Sequence, residues 1–327
     1  MNLRWGILGV GRLSRQMVPI FRQASNATLV AIASRTYERA ADVAREANIP
    51  LAFGSYDDLI SEPSIDAVYV ALPNSLHAEW TIRAAACKKH VLCEKPLAPT
   101  ARDAESMVDA CRREEVVLME SHMWRHHART AHIRKMLDRK VLGDVSRVFA
   151  SFTISPSSLA PNDIRLQPEL GGGSLLDLGC YAVQGILWTF DADPTHVSAT
   201  GRMQGGVDRE GSGWLRFSGG GVGFFDCGFV SPYRTSLEIV GTAGTIKVRE
   251  MWFPSQIPAT FELYRPKRAV EEHALAARDQ RVEMLETFAR AIDRGDRPES
   301  ARDAVRCLKV LDALAQSLRN GVVALSN

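Results

Sequence analysis

Through the first 120 residues, short apolar runs of strand length alternate with segments whose apolar residues recur at three- and four-residue spacing. The runs 3–10, 28–33, 67–72, 90–93 and 116–119 are bounded by turn residues and predict strands. Between them the spacing predicts helices over 12–24, 37–47, 76–88 and 101–115, the last capped by Thr100 just behind Pro99. A strand-helix alternation of this kind implies parallel strands joined by right-handed crossovers. The expected fold is therefore α/β, opening with a doubly wound parallel sheet.

From residue 145 the pattern changes. Strands are predicted over 145–153, 197–201, 213–217, 222–227, 236–240 and 244–249, closely spaced and glycine-punctuated as in antiparallel meanders. Gly219, Gly220 and Gly221 suit a hairpin turn or, equally, a flexible loop. The tail predicts two amphipathic helices, 281–292 and 301–320, broken at 295–298. A first domain over 1–123 and a second α/β domain over 124–327, with a broad, mostly antiparallel open sheet, are expected.

At 327 residues and 46% hydrophobic, the chain is long enough for about two domains of ~150 residues. Its 40 basic and 38 acidic residues are spread throughout, which gives no electrostatic footprint for nucleic acid or an anionic membrane. A small-molecule partner is expected instead. The six cysteines form no Cys-x-x-Cys pair, and no apolar run approaches the ~20 residues of a membrane span. The chain opens almost directly on a predicted strand, with no room for a secretory leader, so a cytoplasmic, reducing location is expected.

Gly9-Val10-Gly11-Arg12-Leu13-Ser14 follows the first predicted strand. On a doubly wound sheet Gly9 permits the tight turn, Gly11 lets backbone approach a pyrophosphate, and the N–H groups of Arg12 and Leu13 open the helix toward its charge; Ser14 stands where Gly or Ala is usual. The second strand ends in Ser34-Arg35-Thr36, without the Asp or Glu that would bind the ribose hydroxyls of NAD. Hydroxyls and a guanidinium suit the 2′-phosphate of NADP, with NAD the less favoured cofactor; Ser34 or Thr36 would also serve as a helix cap. The turn from Leu72 through Asn74 to His77 leaves a strand at its carboxyl end, where ligands of such sheets lie.

Two further stretches carry chemistry: Cys93-Glu94-Lys95-Pro96-Leu97, and the glycine run from Gly171 through Asp177 to Tyr181. With the glycine turn, with Pro73 to His77 and with Leu237 to Ile246, they make the chain resemble the Gfo/Idh/MocA oxidoreductases over nearly its full length. The resemblance implies a Rossmann domain carrying Glu94 and the catalytic Lys95 in its nucleotide site. It also implies a second domain whose open sheet is often covered by another subunit, making a homodimer or higher oligomer. Tyr181 places the chain in the tyrosine-type branch, which resembles dimeric dihydrodiol dehydrogenase and NADP-dependent D-xylose dehydrogenase.

The residues agree with that chemistry. Ser174 is placed to cap a helix, on which Asp177 and Tyr181, four residues apart, would share a face looking across a cleft at Lys95. A nearby ammonium favours the phenolate and lowers a phenol pKa of ordinarily about 10. Tyr181 would thus exchange the proton, Lys95 tune it and hydrogen-bond substrate, and Asp177 orient substrate hydroxyls or Lys95. Taken singly, each residue also suits an ordinary structural role: surface lysine, first-turn helix acid, core aromatic. The resemblance adds Arg125 and His127 near the active site, Arg165 near the cofactor, and Gln184 where relatives often carry Asn. No metal is expected, since His122, His126, His127 and His132 lack a supporting ligand at recognisable spacing. An NAD-dependent glycosidase on the same fold and a non-catalytic nucleotide sensor are the alternatives to an NADP-dependent dehydrogenase or reductase of a polyhydroxylated substrate, an aldose or a dihydrodiol.

Overall fold

A computed structural model describes residues 1–255, 257–276, 278–296, 299–320 and 323–324. Two compact units emerge, residues 1–126 with 279–305 and residues 127–278 with 306–327.

In the first unit lie β1 (Leu3–Leu8), β2 (Ala27–Ala33), β3 (Leu51–Phe53), β4 (Ala67–Val70), β5 (His90–Cys93) and β6 (Leu118–Glu120). All neighbours are parallel and the order is β3-β2-β1-β4-β5-β6. The strands are nearly continuous apolar runs because both faces are covered. The covering helices are α1 (Arg12–Gln23), α2 (Tyr37–Glu46), α3 (Tyr56–Ser61), α4 (His77–Ala86) and α5 (Ala101–Arg113). Thr100 caps α5 as expected, accepting from Asp103 N at 3.2 Å. The pattern does not announce β3 and α3, which are too short to show a period; Ser55 caps α3.

The helix Gln280–Arg294 also belongs to this unit, whereas the boundary at 123/124 assigned it to the second domain. Its Phe288 lies 5.1 Å from Trp5, and Glu286 accepts from Ser25 N at 3.0 Å and from the Ser25 hydroxyl at 2.9 Å. The predicted break at 295–298 includes Gly295, whose φ of 67° ends that helix; residues 297 and 298 lie outside the described residues.

The second unit contains α6 (Ala128–Asp138), β7 (Val145–Thr153), a π-helical turn (Leu175–Gly179), α7 (Cys180–Phe190), β8 (Pro194–Gln204), β9 (Val207–Phe217) and β10 (Val222–Gly228). After these come β11 (Arg234–Gly241), β12 (Thr245–Val248), β13 (Ala259–Tyr264), β14 (Glu271–Leu275) and β15 (Val323–Ala324). The order is β14-β13-β12-β11-β7-β10-β9-β8-β15, antiparallel except for β7 beside β10. Gly219 to Gly221 do form the β9–β10 hairpin turn, with Phe217 N donating to Gly221 O at 2.9 Å. One sheet face buries Val148, Ala150, Phe152, Leu215, Phe225, Leu237 and Ile239, and α7 packs against it. On the other, Phe149 and Phe224 are paired across neighbouring strands and exposed.

With Gln280–Arg294 counted as α8, the last helix is α9 (Glu299–Asn320). Among the described residues no helix is long and apolar enough to cross a membrane.

Candidate active site

The strand order 3-2-1-4-5-6 reverses direction between β1 and β4, and the glycine turn sits there. Gly9 has φ 105°, and a Cβ at that position would stand 2.8 Å from Ala71 O, so the turn passes the end of β4 only as glycine. Gly11 is the N-cap of α1; a Cβ there would meet nothing within 4 Å, and the first turn holds no acid. First-turn N–H groups lack intrahelical partners and carry the positive end of the dipole. Open space before unpaired donors, with no carboxylate to compete, fits a pyrophosphate. Arg12 is exposed in that first turn and makes no ion pair among the described residues, while Leu13 is half-buried. Ser14 is fully buried, small enough for α1 to lie close on the sheet.

At the end of β2, Ser34 is buried and its hydroxyl accepts from Thr36 N at 3.5 Å. Arg35 is exposed and unpaired among the described residues, as is Arg39 in the first turn of α2. Burial raises the Tyr56 phenol pKa, and the nearby charges of Arg35 and Arg39 partly offset that rise. Arg39 was missed in the sequence; its four-residue spacing from Arg35 is the signal that would have found it.

The turn after β4 holds Leu72 buried and Asn74 half-buried. His77, fully buried at the start of α4, places Nδ1 2.9 Å from Pro96 O and Nε2 2.9 Å from Leu72 O. Burial pushes its pKa down, against the pull of those carbonyls. His77 therefore ties the ends of β4 and β5 together. Glu94 is buried too, accepting from the Tyr69 hydroxyl and from Lys95 N. Burial raises its pKa, and hydrogen bonds from Tyr69 and Ser121 oppose the rise. Further on, Leu97 N donates to Glu120 Oε1 at 2.8 Å. The loop carrying the half-buried Lys95 is thus anchored before, within and after the lysine.

In the second unit the glycine run folds back on residues 165–168: Gly172 N donates to Gln167 O at 3.0 Å and Gly173 N to Arg165 O at 2.9 Å. The Arg165 side chain then reaches Asp177, Nε to Oδ2 2.6 Å, and Asp163, Nη1 to Oδ1 3.3 Å. Asp177 raises the Arg165 pKa chiefly by its charge. Ser174 is not the cap its position predicts. Its backbone is already helical at φ −72° and ψ −30°, and its hydroxyl donates to Asp208 Oδ2 at 2.6 Å. The same oxygen accepts from Leu175 N at 2.6 Å, so Asp208 on β9 satisfies the end of the helix. Sequence gave no sign of it.

Asp177 and Tyr181 are 8% and 1% exposed. They are joined by the π-helical turn rather than by regular α-helix. The Tyr181 ring lies 5.1 Å from Phe152, 5.6 Å from Phe253 and 5.9 Å from Trp252. Gln184 is buried on α7. His127, also buried, caps α6 by accepting from Arg129 N at 3.0 Å. Arg125, in the first unit, donates to Asp303 Oδ2 at 2.6 Å. Lys95 stands in the first unit; Arg165, Asp177, Tyr181, Gln184 and His127 stand in the second.

A glycine cradle at the switch point of a 3-2-1-4-5-6 sheet, carried by a chain that also holds a lysine beside β5 and a phenol on a helix of an open sheet, defines a dinucleotide-dependent oxidoreductase. The chain belongs to the Gfo/Idh/MocA family. Residues 3–122 match the oxidoreductase family with an NAD-binding Rossmann fold, and residues 130–247 match the Gfo/Idh/MocA C-terminal domain. It is 34% identical over 321 residues to D-xylose 1-dehydrogenase (NADP(+)) 2 of Haloferax volcanii, covering 98% of each chain. It is 36% identical over 262 residues to trans-1,2-dihydrobenzene-1,2-diol dehydrogenase of Danio rerio, covering 79% of this chain and 78% of the relative. Among solved structures, a 3-ketoreductase from Actinomadura kijaniata in complex with NADP and TDP-benzene superposes with a TM-score of 0.90 at 30% identity, over 97% of this chain and 98% of that one.

Proposed function

We propose that the protein is an NADP-dependent dehydrogenase or reductase of a polyhydroxylated small molecule, an aldose or a dihydrodiol. The observation that carries the reading is the nucleotide end of the first unit: an open, acid-free cradle at Gly11 beside two unpaired guanidiniums, Arg35 and Arg39, with no carboxylate closing β2. Arg39 and Arg35 would hold the 2′-phosphate; a diol-binding acid in their place would select NAD. When bound, the nicotinamide supplies the hydride acceptor or donor. Tyr181 Oη takes the hydroxyl proton of the substrate as its carbonyl forms and returns it in the reverse direction. The Lys95 ammonium favours the phenolate and donates a hydrogen bond to the substrate oxygen. Asp177, turned by Arg165, accepts from a neighbouring substrate hydroxyl. The NADP(+)-dependent xylose dehydrogenase and the dihydrodiol dehydrogenase among the relatives support the substrate class.

The exposed aromatic pair on the second sheet supports self-association into a homodimer or higher oligomer through that face. All six cysteines are free thiols, five of them buried, which suits the reducing cytoplasm.

The test is NADPH formation from NADP⁺ with a panel of aldoses, inositols and dihydrodiols, repeated with NAD⁺ and with Tyr181→Phe. Turnover with NADP⁺ that falls about a hundredfold or more in Tyr181→Phe, with NADPH affinity retained, is the expected result. Unchanged turnover in that variant removes Tyr181 from the chemistry. Nucleotide retained through purification and seen by mass spectrometry, with glycoside cleavage in place of net turnover, favours the glycosidase.

A further inference from the structure

The run Ser174-Leu175-Leu176-Asp177 has the form of a capping box, in which a serine caps its own helix and the acid three residues on turns back to the serine N–H. The fold does something else with it. Ser174 has helical rather than extended backbone, its hydroxyl is given away to Asp208, and Leu175 N donates to the same Asp208 oxygen. The other Asp208 oxygen fills the space a Cβ at residue 173 would need, which, with φ 117°, accounts for Gly173. With Ser174 engaged in this way, the first turn is a π-helix from Leu175 to Gly179, and the Asp177 carboxylate is bound by Arg165. Asp208 comes from β9, 34 residues downstream of Ser174, and is half-buried among these partners.

We propose that Asp208 is a positioning residue: by occupying Ser174 and Leu175 it prevents the capping box, holds the π-turn, and so aims Asp177 at Arg165 and sets its angle to Tyr181. The inference rests on the reading of Asp177 and Tyr181 as substrate and proton-transfer residues. Without Asp208, Ser174 takes extended backbone and caps its own helix, Asp177 turns back to the Ser174 N–H, and the π-turn tightens to an α-turn. Removing one residue from a turn rotates everything before it by about 100° relative to α7, since an α-helix has 3.6 residues per turn. Asp177 then no longer shares its present relation with Tyr181.

The experiment is the crystal structure of Asp208→Ala together with its kinetics, with Asp208→Asn solved in its place if the alanine variant does not fold. The expected structure has Asp177 beside Ser174 N and away from Arg165; an intact π-turn with Asp177 still on Arg165 overturns the proposal. In turnover, kcat should fall about tenfold or more in Asp208→Ala while NADPH affinity, read by fluorescence titration, is unchanged. The double variant Ser174→Ala/Asp208→Ala, which cannot form the serine cap, should recover part of that loss. A merely structural role for Asp208 predicts the opposite, a double variant no better than the single one, and that result also overturns the proposal. Should the wild-type protein show no NADP-linked turnover on any substrate, the proposed function fails while the crystallographic comparison still decides the role of Asp208.

Discussion

The first unit buries His77 and His122, and their chemistry is readable from their partners. His77 and His122 are 0% and 1% exposed, and burial pushes both pKa values down, His122 far down, aided by the charges of Lys95 and Arg125. Trp124 Nε1 donates to His122 Nδ1 at 3.0 Å, so the neutral ring carries its proton on Nε2. Below about pH 6.5 the unfolded chain binds protons that the folded rings refuse, so stability is lost as pH falls through that value. Each such histidine adds a slope of at most about 1.4 kcal/mol per pH unit. Melting curves taken from neutral to acid pH should show this, and His122→Gln, which keeps an acceptor for Trp124 without a titrating ring, should flatten the dependence. An equally steep curve in the variant would assign the acid lability elsewhere. Also at this scale, Arg35→Ala and Arg39→Ala should each weaken NADPH binding about tenfold or more and leave NADH binding nearly unchanged, since a charge-assisted hydrogen bond to phosphate contributes about 1.5–3 kcal/mol. Equal losses for the two nucleotides in paired titrations would take the 2′-phosphate away from these cations.

Among the elements, those with a period or a cap of their own were legible in the sequence. The strand β5 and the cap of α5 follow from local pattern, and β7 coincides with its expected run. By contrast β3, α3, α6, β13 and β14 were not foreseen; β3 is three residues long, and the cap of α6 is a histidine, His127, rather than one of the usual cap residues. The π-turn before α7 could not be foreseen, because the carboxylate that makes it arrives from another strand. The glycine turn is the opposite case, where a local signal and a tertiary contact agree. Gly9→Ala must place a side chain at φ 105° and push it into Ala71 O, so a loss of about 1–3 kcal/mol in stability is expected, with NADPH binding lost alongside it. Thermal melts and nucleotide titration of that variant check both; a variant that melts and binds like the wild type would show that the turn tolerates a Cβ.

For the whole molecule, the informative surface is the uncovered face of the second sheet. Phe149 and Phe224 are 43% and 36% exposed, stacked 5.1 Å apart at 10°, and Trp214 is the cross-strand neighbour of Phe224. An aromatic row in the middle of a broad open sheet is the kind of core that stable interfaces bury, with about 800 Å² covered on each partner. Under the proposed self-association, Phe149→Glu/Phe224→Arg should convert an oligomer into a monomer in sedimentation experiments without altering the fold of either unit. A wild-type chain that sediments as a monomer at micromolar concentration would retire that interface.

What the sequence determined by itself was everything that repeats or acts locally: the alternation that makes a parallel sheet, the glycines that open a phosphate cradle, the missing acid after β2, and the lysine and phenol set among motif neighbours. What only the tertiary structure decided was the partner of each polar group. His77 bridges Leu72 and Pro96, Glu94 meets Tyr69, and Asp208 displaces Ser174 as a cap. The physical reason is that a buried donor or acceptor must find a partner wherever the chain brings one, and those partners come from strands and turns far apart in sequence. Periodicity records which face of an element is buried, but not which distant oxygen will wait there.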